Sequence, residues 1–247
     1  MRDIVRFSVR QRAEHASVMV LFTVLVITGM PQKYYDAAFS GTLVHLMGGV
    51  GATRLIHRVA GVLFALTIVA HLGVAIWQVA TRRLSQLAIV PRRQDYLDAL
   101  ATLRWYLGLS KQKPLFDRYD YRQKFEYWGM VAGSMIMVAT GIVLLFPVVI
   151  GSLLPGQLIP AAQVAHSMEG LMAFLVVIVW HIYNAHLNPD VFPFDWSIFN
   201  GKISRHRMIE EHPLELARIE GVPVESIVPK PETPASPGKQ PVETPAG

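Results

Sequence analysis

The sequence contains no cysteine. That removes disulfide bridges, iron–sulfur clusters ligated by this chain, and covalent haem attachment through a Cys-x-x-Cys-His site. Charge is also scarce, at 17% of residues against 52% hydrophobic, and it is gathered into blocks. Residues 16–32, 59–80 and 127–165 carry no Asp, Glu, Lys or Arg. About 20 apolar residues suffice to cross a bilayer, so the chain reads as a multi-pass membrane protein surrounded by lipid. The third uncharged stretch is too long for one helix and is broken by Pro147, Gly151, Pro155, Gly156 and Pro160. It therefore divides into two helices around a turn. The expected fold is all-α, a four-helix transmembrane bundle with helices at about 14–31, 54–80, 125–147 and 162–187.

A basic segment ahead of an apolar run can also be a secretory signal. Here the run exceeds the usual length, and Thr28-Gly29-Met30-Pro31 offers no small-residue cleavage site, so the first helix is expected to be retained. Orientation follows from Lys and Arg in the flanks. Arg2, Arg6, Arg10 and Arg12 precede the first helix, and the loop after the second is rich in basic residues, from Arg82 and Arg83 to Arg122 and Lys124. The opposite side carries only Lys33, Arg54 and Arg58 in its first connection and no charge between Pro147 and Ala165. Both termini are therefore expected in the cytoplasm, with the bundle in a bacterial inner membrane. The formal charge of +5 is a topology signal, and nucleic acid is not expected as a partner.

Outside the spans, residues 96–109 alternate as a short amphipathic helix expected along the cytoplasmic surface. Residues 1–221 form the membrane domain in this reading. Residues 222–247, rich in Pro, Glu, Thr, Ser and Gly, form a disordered or extended tail.

What is present in unusual number, against this apolar background, is histidine. His15, His57, His71, His166, His181 and His186 fall inside or at the edge of the apolar stretches, where an ionisable ring is costly and most often functional. His57 and His71 are fourteen apart and His166 and His181 fifteen. Each pair thus returns to nearly one helix face, with its members about 21 Å apart along the axis. Helices two and four run in the same direction, which puts His57 and His166 at matching depth near the outer surface. Gly61 and Gly170 lie one turn inward of them, where a flat macrocycle needs close approach. Arg54 and Arg58 are placed to meet haem propionates. Hydrogen bonding to neighbouring helices is the plainer alternative for these histidines.

Near the inner surface the pattern allows more than one pairing. His181 can pair with His71 or with His15, and a third haem using His71 and His186 is a further option. Spare histidines could instead hydrogen-bond a quinone. Without cysteine, any haem is of the non-covalent b type. Glu169, one turn inside His166, reads either as a proton or propionate contact or as an acid stabilised near a helix start, the second being favoured. His45, His206 and His212 read as ordinary surface residues.

Several segments together carry a family resemblance. Arg10-Gln-Arg-Ala-Glu-His15-Ala, Arg54-Leu-Ile-His57-Arg-Val-Ala-Gly61, Tyr119-Asp-Tyr-Arg-Gln-Lys124-Phe, Val164-Ala-His166-Ser-Met-Glu-Gly170 and Trp180-His181-Ile-Tyr183 occur in an order that resembles formate dehydrogenase gamma subunits. These are quinone-reactive membrane cytochromes b related to those of nickel–iron hydrogenase. The resemblance runs from about Ser8 to Gly221 and implies a membrane anchor with two bis-histidine haems b, one on His57 and His166 and one on His15 and His181, with a quinone site beside the inner haem. His71 and His186 are not part of that pattern. The segment around Asn184, His186 and Pro193 resembles a subgroup found beside varied periplasmic redox partners, so formate itself is not implied.

The implied role is an electron-transfer subunit between a periplasmic redox subunit, iron–sulfur or multihaem cytochrome c, and the quinone pool. Asp120, where the family carries asparagine, is the candidate for proton exchange with quinone, against an interfacial ion pair with Arg122 or Lys124. The competing class is a histidine-lined proton or metal transporter, which predicts polar or broken helices near the midplane.

Overall fold

The computed structural model describes residues 3–81, 88–189 and 191–228. Arg2, Arg82, Arg83, Asp190 and the Pro-rich residues 229–247 lie outside the described residues. The chain is mostly helical, and four of its helices are long and apolar enough to cross a membrane. These are α1 (Val9–Lys33), α3 (Val50–Ala80), α5 (Tyr121–Leu145) and the span Leu158–Leu187. The last begins as α7 (Leu158–Leu175) and continues through π-helical turns at Val176–His181 and Tyr183–Leu187. The connections that follow α1 and α5 contain two short helices that the hydropathy pattern does not distinguish, α2 (Ala38–Leu46) and α6 (Pro147–Leu153). The surface helix is α4 (Arg93–Tyr106).

Each long helix starts about a turn before the position expected from hydropathy, for a local reason at two of them. Ser8 caps α1 and Asp120 caps α5, each accepting from the backbone N–H three residues on, while Gln11 and Gln123 return the bond to the cap backbone. Such a capping box satisfies otherwise orphaned donors, so the helix nucleates in the charged flank and carries it into the lipid. Helix α1 packs against α3 and α5 against α7, and contacts of α1 with α7 and α3 with α5 close the ring. The apolar side chains point outward: only 6 to 11% of the spanning windows is buried. That is the arrangement expected where lipid is the solvent.

A small module gathers on one side of the bundle. Strand β1 (Asp3–Val5) pairs antiparallel with β2 (Lys202–Ser204), and Ile4 stands opposite Ile203. Helices α8 (Ser197–Asn200), α9 (Arg205–Glu211) and α10 (Pro213–Glu220) complete it. Ile203, Met208, Leu216, Ala217 and Ile227 form its apolar core, so the all-α expectation needs a two-stranded sheet added. Ile227, within the stretch the composition marks as tail, belongs to that core. Arg6, Arg118 and Glu215 meet in the same module. It follows that the segment before α1, the loop between α3 and α5 and the segment after the last span lie on one side of the membrane.

The expectation that His212 is an ordinary surface residue is wrong. The ring is 3% exposed. Its Nδ1–H donates to the Asp117 carbonyl (2.8 Å) and its Nε2 accepts from Arg6 (3.1 Å). Hydropathy could not reveal this, because the neighbours that bury it come from segments about 100 and 200 residues away. Burial, and then the Arg6 guanidinium, push its pKa from 6.5 down to about 3.

Candidate functional site

The spanning helices bring four of the six histidines into two pairs. His57 on α3 faces His166 on α7, with ring centroids 6.3 Å apart and planes at 79°. His15 on α1 faces His181 in the π-helical stretch, with centroids 6.1 Å apart and planes at 37°. Along the last span the two pairs are about 21 Å apart.

The outer pair is held by threonines. The Thr28 hydroxyl donates to the Val24 carbonyl (2.7 Å) and lies 2.8 Å from His57 Nδ1. Its single proton is thereby committed, so its oxygen accepts from Nδ1–H and leaves Nε2 with the free lone pair. Thr140 repeats the arrangement, donating to the Ile136 carbonyl (2.6 Å) and accepting from His166 Nδ1 (2.9 Å). Glycines back both rings. A Cβ on Gly29 would stand 3.2 Å from His57 Cε1, and one on Gly141 would stand 3.4 Å from His166 Cε1. The first is tighter than ordinary contact and the second is van der Waals contact, so both rings lie directly against the glycine backbone.

Carboxylates serve the inner layer. His181 donates from Nδ1 to Glu126 of α5. Of the rings that could accompany His181, His15 stands beside it, and His71 bonds other groups. His71 Nδ1 is 3.0 Å from Glu14 and Nε2 is 2.9 Å from the Tyr127 hydroxyl. His186 stacks flat on Phe194, centroids 4.0 Å apart, and its Nδ1 accepts from the Asp195 backbone at 3.4 Å. The rings of His71 and His186 thus keep separate company.

The two pairs can be tested against the group that the resemblance implies. Two imidazoles sharing one metal ion about 2.0 Å from a nitrogen of each, with each centroid about 1.1 Å behind its nitrogen, would stand up to about 6.2 Å apart. The observed 6.1 and 6.3 Å fit. Nδ1 is occupied in His57, His166 and His181, which is how ligating histidines are oriented by the groups around them. His57 with His166, and His15 with His181, are thus the residues that would hold such a group.

The charged candidates divide. Arg54 and Arg58 are exposed beside His57, and neither is ion-paired among the described residues. Asp120 is 6% exposed, and both of its oxygens are occupied. One accepts the Gln123 N–H (2.8 Å), the other accepts from Arg122 Nε (3.0 Å) and its terminal nitrogen (2.7 Å). Lys124 pairs with Asp95 of α4 instead (2.7 Å). Glu169 sits eleven residues into α7, where its carboxyl lies against Gly133 of α5.

Glu14, Glu126, Thr28, Thr140 and Tyr127 were missed by reading histidines alone. The signal was available: Thr-Gly occurs at 28–29 and again at 140–141, and a glutamate stands fourteen residues before each threonine. Compared with known proteins, the chain matches no family model and no curated protein.

Proposed function

We propose that this protein is a membrane b-type cytochrome, the electron-carrying subunit that links a redox partner at the outer face to the quinone pool through two bis-histidine haems. The observation that carries the reading is the pair of histidine couples, each at the separation of two imidazoles on one metal ion and about 21 Å apart in depth. When bound, a bis-histidine haem supplies a one-electron carrier whose iron keeps its ligands through turnover.

The chain's own residues do the positioning. Thr28 and Thr140 fix the tautomer and the plane of the outer rings, and Glu126 fixes His181. Arg54 and Arg58 supply positive charge at the outer rim for propionates. Basic flanks on the module side support a cytoplasmic location for both ends, and so a periplasmic partner, iron–sulfur or multihaem cytochrome c, in a bacterial inner membrane. Quinone belongs beside the inner pair. There Asp120, with both oxygens bonded, anchors the start of α5, and the acid touching the inner pair is Glu126.

Pyridine haemochromogen assay of the purified protein tests the reading. Two haems per chain with a sharp reduced α band are expected. His57→Ala or His166→Ala should each remove one, and His181→Ala the other. Protein free of haem, carrying protons or metal ions in liposomes, would establish the transporter instead.

A further inference from the structure

The bundle repeats itself. From the cap onward, α1 reads Arg10-Gln11-Arg12-Ala13-Glu14-His15 and α5 reads Arg122-Gln123-Lys124-Phe125-Glu126-Tyr127, each 25 residues long and each opened by a capping box. Glu14 and Glu126, and likewise Thr28 and Thr140, are 112 residues apart.

The partners on the second helix of each half correspond too. His57 with Gly61 four residues on matches His166 with Gly170. A Cβ on Gly61 would meet Leu25, and one on Gly170 would meet Met137, again 112 apart. His71 bonds Glu14 as His181 bonds Glu126. The two halves differ in the interval between histidines, fourteen residues in α3 and fifteen in the last span. The π-helical turn Val176–His181 accommodates it, since such a turn takes in one extra residue.

Two related hairpins imply two related inner positions. The outer pair joins His57 to its own counterpart, His166, so it lies where the halves meet. The inner pair, His15 with His181, has a counterpart: Tyr127 with His71. The ring centroids of that counterpart are 5.9 Å apart, close to the 6.1 Å of the inner pair. Its chemistry differs because the phenol hydroxyl engages His71 Nε2 at 2.9 Å, the nitrogen a metal would need.

We infer that the chain is two copies of one haem-binding hairpin, and that Tyr127, standing at the counterpart of His15, closes the second inner haem position and assigns the inner haem to the α1–α7 side. Tyr127 is thus a positioning residue. This rests on the cytochrome reading.

The test is to move the haem across the bundle. Wild type is expected to hold two haems and His15→Tyr one. The exchange variant H15Y/Y127H is expected to recover two, and adding His71→Ala to return it to one. The α band of the outer haem reports folding in each. An exchange variant that keeps the outer haem and stays at one overturns the inference. If H15Y/Y127H loses the outer haem as well, the less bulky H15A/Y127H decides by the same count. Wild type without haem, or His15→Tyr with two, overturns the cytochrome reading or its inner ligand set, and the inference with it.

Discussion

The Nδ1 of His57 on α3 lies 2.8 Å from the hydroxyl oxygen of Thr28 on α1, and that bond selects the nitrogen left with a lone pair. The hydroxyl cannot reverse the arrangement, because its proton is given to the Val24 carbonyl. Thr28→Val should therefore keep the helix contact and lose the orientation. Removing such a partner typically weakens metal affinity by about 10–100-fold. Transfer of haem to a scavenging apoprotein should quicken by that order in Thr28→Val and in Thr140→Val, with Thr28→Ser restoring retention.

Glycine 29 backs the same ring from the other side. An added methyl would stand 3.2 Å from His57 Cε1, tighter than ordinary contact, so the ring or helix must shift by a few tenths of an ångström. On the proposed cytochrome reading, Gly29→Ala is expected to shift the midpoint potential of a haem held by His57, and Gly29→Val to expel it. Gly73 has nothing within 4 Å of an added Cβ. Gly73→Ala should leave potentials and haem content unchanged in the same titration.

The module should loosen in acid because of His212. Its folded pKa, about 3, lies below the 6.5 of the unprotected ring. The unfolded segment thus binds the proton more readily, and stability is whole above 6.5 and falls as pH drops towards 3. The slope is about 1.4 kcal/mol per pH unit where the two states differ by a full proton. Glu211, pushed up by burial against the pull of Arg207, runs the opposite way. Comparison with His212→Asn isolates the histidine. Amide protection factors in residues 202–228, corrected for the intrinsic exchange rate at each pH, should fall from pH 7.5 to pH 5 in the wild type and much less in the variant.

Glu215 holds two guanidiniums, accepting from Arg6 and from Arg118 at 2.5 Å each. Its side chain is 5% exposed and that of Arg6 4%. Glu215→Gln leaves the buried Arg6 and the partly exposed Arg118 without their shared counter-charge, and breaking the buried Arg6 pair is worth about 3–5 kcal/mol. Limited proteolysis should cut the module of Glu215→Gln well before that of wild type, while the spanning helices remain protected.

The four spans were legible because lipid imposes a simple rule, long uncharged runs, and the sequence obeys it. The histidine pairs were half legible. Matching depth pointed to His57 and His166, since helical rise alone fixes depth. The choice between His15 and His71 for His181 was not readable from rise, because it depends on which helices are neighbours. Tyr127 settles His71 in the structure, and no periodicity announces a phenol as a hydrogen-bond partner. The module was illegible for another reason: its core joins residues 3–5 to residues 202–228, and each piece alone is too short and too polar to look like part of a fold.

That long-range closure bears on how the protein is made. Strand β1 precedes all four spans along the chain, yet its partner β2 exists only after all four have been made. Arg6 likewise waits for Glu215. A helix inserted the wrong way round, or left out of the membrane, would strand these partners on opposite faces of a barrier that neither strand nor guanidinium can cross. Completion of the module therefore requires that all four spans leave its pieces on the same side of the membrane.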